Sequence, residues 1–338
     1  MTQNGVFFED VTEGMPIKSL AKKSSMVSIF MYQAATWNCD RIHYDSKFAQ
    51  EVFGLPDVVQ TGPVSADWYA QILTEWMGET GLIKKLSYQS RLTILPEDKL
   101  VCGGKVIRKY THKGYHCIDC DLTLVNQRGE NTSPGKATII LPLKGKNLDF
   151  IQIADETDLF LDTSEKPIRL PGTLVTSEIL KLIGVEAEPV TSDPITAKEI
   201  KRYALAIGDP NPLYHDEEKA KKSRYGGLIA PFGYALWACH PVSQDDFAEN
   251  LTPGGYPKRQ AAFYIPKLPV ENLVHGGDEH EFFHPIRPGD VLTGSTKVFD
   301  ISEKIGKTRS MIFVDTETTV KDQNNKLVDI FKVTAVFY

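Results

Sequence analysis

Apolar side chains recur at helical spacing in two stretches of the chain, one early and one past its middle. Residues at i, i+3, i+4 and i+7 share one face of an α-helix, so each stretch predicts a short amphipathic helix. The first stripe consists of Val27, Phe30, Met31 and Ala34, and the second of Ile200, Tyr203, Ala204 and Ile207. The second helix begins with a capping box, in which Thr196 and Glu199 satisfy free amides at its start.

The segments that follow these two helices come in the same order. Each helix leads into a polar turn rich in Asp, Asn and His, at residues 37–45 and 208–216. A short helix and a glycine-bearing loop come next, followed by a second, strongly apolar helix at residues 65–77 or 233–239. This shared order indicates two copies of one structural unit.

Each copy ends in segments with the alternation of β-strands. Residues 98–106 align without a gap with residues 290–298. In each copy a later long strand ends at a hairpin-like turn, at Asn126 or at Asp322. One helix followed by a run of antiparallel strands is an α+β unit, whose sheet is able to wrap the helix.

A segment with few apolar periodicities separates the two copies. The repeat is too long for a solenoid, and a length of ~100–200 residues is usual for one domain. We therefore predict two tandem domains, residues 1–145 and 173–338, joined by a linker at 146–172. The predicted fold class is α+β, with antiparallel sheets that each wrap a central helix.

Composition and charge exclude several classes of function. The 338 residues carry a formal net charge of −6 without an evident basic face, so no nucleic-acid partner is expected. No apolar run approaches the ~20 residues that span a bilayer, and the first ten residues show no signal-peptide pattern. The five cysteines, an odd number, are typical of a reducing compartment. These features predict a cytoplasmic protein without a membrane partner.

Two of the cysteines form a CxxC pair, Cys117 and Cys120, with no second pair to complete a metal site. They lie in an alternating segment, where a spacing of three places two side chains on opposite faces of a strand. No metal site is therefore expected.

The polar turns, with the loops that follow them, resemble a known superfamily. Residues 206–216 with 225–231 closely resemble the N-terminal-dehydratase-like module of the MaoC-like hydratases and dehydratases. Residues 35–45 with 56–63 resemble the catalytic hydratase module of the same superfamily. The resemblance covers nearly the whole chain apart from the linker.

This resemblance implies a tandem, or double, hotdog fold. It also implies a thioester of coenzyme A (CoA) or of an acyl carrier protein as the substrate, with addition or removal of water at the double bond. No metal or separate cofactor is implied, since CoA enters as part of the substrate. Hotdog domains generally pair, so the two halves can pair within one chain, and chains could also associate as a homodimer.

Hydration of an enoyl thioester needs a group that moves protons and a donor to the developing enolate oxygen. His43 is the candidate for water activation, because imidazole titrates near neutrality. In the family pattern an acidic residue stands five positions before this His, but here Asn38 occupies that position and Asp40 the one that is usually Asn. Either Asp40 has taken over the acid role, or Asn38 only holds water and His43 works nearly alone. Gly62 is the predicted donor, because no Cβ blocks its backbone.

The second half is predicted to line the substrate tunnel. The spacing from Asp209 to His215 is one residue longer than the catalytic pattern, and Pro231 has no N–H to donate. Asp209 and His215 therefore remain the alternative catalytic pair. The candidate substrate-binding residues are Thr61, Ser65, Phe232 and Tyr234.

Two other functions stay open at this point. A hotdog thioesterase usually has an acid on the central helix, where Asp67 and Glu75 lie in this sequence. A non-catalytic acyl-CoA-binding subunit is suggested by the altered pair of Asn38 and Asp40.

Overall fold

A continuous antiparallel sheet forms the frame of the molecule, which we describe from a computed structural model. The structure describes residues 5–156, 170–239, 248–255, 268, 272–305 and 310–338. Within them the strands are β1 (Pro16–Lys23), β2 (Leu82–Gln89), β3 (Lys99–His112), β4 (Tyr115–Asn126), β5 (Gly135–Ile140), β6 (Val190–Thr191), β7 (Leu273–Phe282), β8 (Thr293–Ile305), β9 (Ser310–Lys321) and β10 (Leu327–Phe337).

The strand order repeats the same arrangement in the two halves. Across the sheet the order is β1-β3-β4-β5-β2-β7-β10-β9-β8-β6. From the centre of the sheet to either edge, the strands of the two halves therefore follow in corresponding order. The inner strands β2 and β7 pair antiparallel, from Lys85 opposite Glu281 to Gln89 opposite Gly277. The prediction of a repeated α+β unit is confirmed. Its two sheets are joined into one, which leaves neither inner edge unpaired.

Helices pack against the sheet and against one another. They are α1 (Met26–Thr36), α2 (Ser46–Glu51), α3 (Val64–Met77), α4 (Phe150–Asp155), α5 (Ser177–Leu180), α6 (Ala197–Ile207), α7 (Pro212–His215), α8 (Glu217–Lys222) and α9 (Ala235–Ala238). The central helix of the first half is α3, most of which is buried. Its counterpart α9 is short and follows a 3-10 turn at Phe232–Tyr234; residues 240–247 lie outside the described part of the chain.

One hydrogen-bonded turn occurs at the same place in both halves. Asp98 accepts hydrogen bonds from the Leu95 amide and the Gln127 side chain. In the second half Asp290 accepts the bond from Gln323 and also caps the preceding backbone. The gap-free alignment of residues 98–106 with residues 290–298 thus reflects the same hydrogen-bonded turn in both halves.

The first part of the predicted linker is structured. Helix α4 lies there, and its Ile153 is fully buried against a small apolar cluster that contains Cys117 and Ile140. Cys120 belongs instead to the main core, so the two cysteines of the CxxC pair face opposite sides of β4, as predicted. Residues 157–169 of the linker lie outside the described residues.

Helix α1 forms as predicted, but its apolar stripe faces solvent. Val27 and Phe30 are 67% and 68% exposed. The buried face consists of Ile29, Tyr32, Gln33 and Thr36. Thr36 Oγ1 donates to the Tyr32 carbonyl at 2.8 Å, and Gln33 Nε2 donates to a backbone carbonyl at 3.1 Å, so the polar atoms of this face are satisfied inside the fold. The stripe on α6 behaves as predicted, with all four residues buried.

Because the α1 stripe is exposed, Phe30→Ser is expected to change the free energy of unfolding by less than about 0.5 kcal/mol. Ile29→Val, a smaller change on the buried face of the same helix, should cost about 1 kcal/mol. Urea unfolding of the two variants and the parent chain measures both values. A larger loss for Phe30→Ser than for Ile29→Val would show that another surface covers the stripe.

Candidate active site

The polar turn after α1 is held by its own side chains. Trp37 ends the helix in the left-handed conformation, with a φ of 53°. Asn38 Oδ1 then accepts a hydrogen bond from the Asp40 amide at 3.1 Å. Asp40 Oδ1 accepts one from the Ile42 amide at 3.3 Å and so caps the 3-10 turn Arg41–His43. These bonds fix the backbone that carries His43.

The imidazole of His43 is oriented by a backbone carbonyl. Its Nδ1 lies 2.7 Å from the carbonyl oxygen of Val59, a distance at which Nδ1 must carry the proton and donate. In the neutral ring the other nitrogen, Nε2, then has the free electron pair of a base. The residue is only 5% exposed, so this base lies in a site from which bulk water is largely excluded.

A carboxylate lies beside that base, and it belongs to Asp40. The distance from His43 Nε2 to Asp40 Oδ2 is 3.7 Å, which is too long for a direct hydrogen bond but suits two groups that hold one water between them. Asp40 is 4% exposed. The structure thus brings Asp40 to His43, whereas the side-chain oxygen of Asn38 supports the turn.

Gly62 lies at the start of α3, where two side chains approach its backbone closely. A Cβ at this position would lie 2.8 Å from Cδ2 of His275 and 3.1 Å from Oγ of Ser90. Only glycine fits such an approach without displacing these neighbours. The amides at the start of a helix also carry partial positive charge, which favours a negative oxygen there. His275 and Ser90 are absent from the sequence-based site because no local motif marks them.

Thr61 and Ser65, the candidate binding residues around Gly62, are anchored to the interior. Thr61 Oγ1 donates to Gln33 Oε1 at 2.5 Å, and Ser65 Oγ is 3.2 Å from Ser133 Oγ. Both residues are almost completely buried. Their hydroxyls therefore hold the backbone on either side of Gly62 in place.

The second half builds the same turn around a different side chain. The amide of Val59 donates to the Ile42 carbonyl, and the amide of Ile229 donates likewise to the Leu213 carbonyl. This correspondence places Tyr214, the residue after Leu213, where the first half has His43. The additional residue in this turn therefore moves His215 one position past the one that corresponds to His43.

In the alternative pair, His215 contacts the backbone of Asp209 and not its carboxylate. His215 Nε2 lies 2.8 Å from the Asp209 carbonyl oxygen, while the Asp209 side chain accepts from the Asn211 amide. Burial raises the pKa of the Asp209 carboxyl, against the effect of that hydrogen bond. These hydrogen bonds stabilise the polar turn at residues 208–216.

The position that corresponds to Gly62 is filled by an aromatic ring. Phe232 packs edge-on against Phe282, with ring centroids 4.9 Å apart. Phe232, together with Ala230 and Pro231, lines a cavity of about 50 Å³, room for only a few water molecules. Tyr234 is 6% exposed and packs against the ring of Tyr203 in the core.

The acid on the central helix, Asp67, is enclosed between the two halves. Tyr203 Oη donates to its Oδ2 at 2.7 Å, and Tyr32 Oη lies 3.4 Å from the same oxygen. Its Oδ1 faces the backbone of Gly233. Burial raises the pKa of Asp67 to about 7, despite the hydrogen bond from Tyr203. An acid this enclosed is poorly placed to reach a thioester.

Among residues 5–156, 170–239 and the other described stretches, no cluster of His, Cys, Asp and Glu has the geometry to hold a metal ion. Over the same residues, no helix has both the length and the apolar character needed to cross a bilayer.

Two families of dehydratases match the two halves of the sequence. The family described as hydroxyacyl-thioester dehydratase type 2 matches residues 13–95, and the one described as FAS1-like, dehydratase domain region, matches residues 181–331. A UPF0336 protein of Saccharopolyspora erythraea is 30% identical over 124 residues, which cover 37% of this chain and 70% of that protein. A probable enoyl-CoA hydratase alpha subunit of Thermomonospora curvata is 28% identical over 153 residues, which cover 40% of this chain and 42% of that protein.

Solved structures share the arrangement of the whole chain. A putative MaoC domain protein dehydratase from Chloroflexus aurantiacus superposes with a TM-score of 0.66 at 14% identity, covering 99% of this chain and 98% of that one. A conserved hypothetical protein of Mycobacterium tuberculosis, described as having a double hotdog fold, gives a TM-score of 0.64 at 12% identity and covers 99% of both chains. At such low identity these likenesses concern the fold.

Proposed function

Since this chain belongs to the MaoC-like hydratase/dehydratase superfamily and has a double hotdog fold, we propose that it adds water to an enoyl-CoA, or removes water from the 3-hydroxyacyl-CoA, through His43. The general activity, that of a hydro-lyase on a hydroxyacyl thioester, follows from the family. The CoA carrier and the roles of individual residues are our proposal.

In the direction of hydration, Nε2 of His43 accepts a proton from a water molecule as the water oxygen bonds to Cβ. The electron pair of the double bond then moves toward the thioester carbonyl, and the amide of Gly62 donates to the enolate oxygen that forms. The imidazolium of His43 returns the proton to Cα. No electrons leave the substrate, so the step needs no redox cofactor.

The observation that carries the proposal is the hydrogen bond from His43 Nδ1 to the Val59 carbonyl at 2.7 Å. It leaves Nε2 as the base and directs this atom toward Asp40. A water that contacts both groups is oriented by the carboxylate and deprotonated by the imidazole. When His43 becomes charged during the step, the nearby carboxylate stabilises it.

The two halves differ in a way that supports a single reacting centre. At the corresponding positions the second half has Tyr214 and Phe232 instead of His43 and Gly62. A phenol with an ordinary pKa near 10 is a poor base at neutral pH, and a phenylalanine side chain fills the space that a thioester carbonyl requires. The second half is therefore proposed to shape the acyl site without performing chemistry.

The reacting centre is closed in this structure. His43 and Asp40 are each about 5% exposed or less, and the backbone at Pro253 and Gly254 is hydrogen-bonded to Arg41 beside them. Entry of a thioester therefore requires the residues over Nε2 to move. Closure around the substrate strengthens the electrostatic interactions on which the step depends.

The test is a panel of enoyl-CoA substrates that differ in chain length and branching. The purified chain is expected to remove the enoyl absorbance of at least one substrate, with formation of the matching 3-hydroxyacyl-CoA. The corresponding acyl-carrier-protein thioesters, assayed in parallel, identify the carrier. Binding of enoyl-CoA without any loss of enoyl absorbance would instead indicate a non-catalytic acyl-CoA-binding subunit.

The thioesterase alternative predicts a different product. Release of free CoA from a saturated acyl-CoA, followed with a thiol reagent, should be insignificant. Release at enzymatic rates that survives His43→Ala but is lost in Asp67→Ala would replace the hydratase proposal with the thioesterase.

A further inference from the structure

The neighbour of Gly62 that comes from the other half of the chain is an imidazole. His275 lies on β7, and its ring edge touches the space above the Gly62 backbone, with Cδ2 2.8 Å from the place of a Cβ. Its side chain is 25% exposed, so the ring is accessible in part. Gly277, two residues later, has a φ of 147° and lies directly on the Tyr88 backbone. This close approach of β7 to β2 is what brings His275 to the start of α3.

Two buried groups fix the ring of His275. Its Nε2 lies 2.9 Å from Asp278 Oδ1 and 2.8 Å from Tyr88 Oη, and Tyr88 Oη donates to Asp278 Oδ2 at 2.7 Å. Because the tyrosine proton goes to the carboxylate, Nε2 carries a hydrogen and donates. Burial by itself would raise the pKa of Asp278, but His275 and the hydrogen bond from Tyr88 lower it below its usual value. Asp278 and Tyr88 thus hold the ring of His275 in one orientation.

Beside the same position of Gly62 lies a hydroxyl without a hydrogen-bond partner among the described residues. Ser90 Oγ would be 3.1 Å from a Cβ on Gly62, and it is buried without a hydrogen bond. The Ser90 amide donates to the Gly276 carbonyl, so the residue is held between β2 and β7. A buried hydroxyl normally has a hydrogen-bond partner. The hydroxyl of Ser90, which has none and lies beside Gly62, is therefore suited to bind an oxygen atom of a ligand.

We propose that His275 and Ser90 are catalytic residues that bind the thioester carbonyl together with Gly62, so that one reacting centre is built from both halves of the chain. This inference rests on the proposed function. As the water oxygen bonds to Cβ, the electron pair of the double bond moves onto the carbonyl oxygen. Ser90 donates a hydrogen bond to that oxygen, and the ring of His275 contacts it with its Cδ2–H edge. His43 performs the proton transfers.

The arrangement explains why the inner strands carry polar residues in a buried place. His275, Asp278 and Tyr88 could be replaced by apolar residues if β2 and β7 only had to pair. Held by Asp278 and Tyr88, the ring of His275 lies beside a helix N-terminus, where a preorganised site stabilises an oxyanion without any rearrangement during the step. At the place in the second half that corresponds to Gly62, Phe282 packs instead against Phe232.

The first test compares His275→Gln and Ser90→Ala with the parent chain on the best enoyl-CoA substrate. Each variant is expected to lower kcat by about ten- to a hundredfold, with KM changed by less than about threefold, because the lost contact strengthens only as charge develops. His116→Gln and Ser87→Ala are the matched controls, since His116 contacts Thr111 at the surface and Ser87 lines a groove on the sheet. Thermal unfolding of all four variants checks that the fold is kept.

A second measurement does not depend on turnover. A 3-ketoacyl-CoA can bind as its enolate, whose absorbance differs from that of the ketone. The parent chain should bind the enolate form, and His275→Gln should bind it at least about tenfold more weakly and lose the enolate band. If both variants keep kcat and enolate binding within twofold of the parent, the inference is wrong while the hydratase proposal stands. If the parent turns over no enoyl-CoA, the proposed function fails, and the enolate measurement still decides whether His275 and Ser90 bind the carbonyl.

Discussion

Alanine in place of His43 is expected to lower kcat for hydration of an enoyl-CoA by about a thousandfold, which lies within the range for loss of a general acid–base. In the proposed step the same nitrogen takes the proton from water and returns it at Cα, so one substitution would remove both transfers. The KM for the thioester should change little, because the imidazole acts on the reacting atoms rather than on the body of the substrate. Steady-state kinetics on the substrate selected by the panel measures both quantities.

Two comparisons make the result specific. His215→Ala removes the histidine of the alternative pair, which contacts the Asp209 carbonyl, and should change kcat by less than about threefold. His43→Gln keeps a side chain near the Val59 carbonyl but offers no base, so it should be as inactive as His43→Ala. Activity that follows His215 instead of His43 would transfer the reacting centre to the second half.

The same assay resolves the roles of Asp40 and Asn38. Asp40→Asn keeps the cap on the Ile42 amide and removes only the charge, and it should lower kcat by about thirtyfold through loss of the group that orients the water. Asn38→Ala should act mainly on stability, by about 1 kcal/mol, because its oxygen supports the turn. A larger effect of Asn38→Ala on kcat than of Asp40→Asn would reverse these roles.

Much of the fold was predictable because its signals are local. Turn chemistry such as that of Asp98 and Asp290 depends on a few neighbouring residues, so it survives in both copies and reveals the repeat. The polar turn that carries His43 and Asp40 is predictable for the same reason. The buried face of α1 was not, since Tyr32 and Gln33 are buried by partners on other elements, while the apolar Val27 and Phe30 remain outside.

The features that join the two halves could not be predicted. The pairing of β2 with β7 follows from the meeting of two sheet edges, and a strand pattern does not indicate which edges meet. His275 and Ser90 reach Gly62 only because these strands are adjacent. Hydrophobic periodicity assigns residues to faces of one element, and a site shared between distant elements depends on tertiary packing.

Ionisation of Asp67 alone is expected to lower the free energy of unfolding by up to about 4 kcal/mol as the pH rises from about 4 to about 7. In the folded chain burial raises the pKa of Asp67 from an ordinary value of 3.8 to about 7. Between these values the unfolded chain has lost the proton and the folded chain keeps it. The folded state thus binds more protons, and raising the pH favours unfolding. Above about 7 both states are ionised and the contribution becomes constant.

Asp67→Asn isolates this effect, because an amide of the same shape does not ionise. Urea unfolding of the parent chain and of Asp67→Asn at several pH values gives the difference between their free energies of unfolding. This difference should shift in favour of the variant as the pH rises from about 4 to about 7, because only the parent loses stability through this position. Asp193→Asn is the matched control, since it makes the same change at an exposed position. A difference between parent and Asp67→Asn that does not vary with pH would show that Asp67 is ionised in the folded chain.

Tyr203 provides an independent check of the same physical cause. Its hydroxyl donates to Asp67 Oδ2 and favours the ionised carboxylate, which partly offsets the effect of burial. Tyr203→Phe removes that bond and should raise the pKa of Asp67 further, so that stability continues to fall at pH values above 7. Because Asp67 lies in the first turn of α3 and Tyr203 on α6, this pair couples the helix that carries Gly62 to the second half. The reacting centre should therefore be held most firmly under mildly acidic conditions, where the carboxyl is neutral in the folded chain.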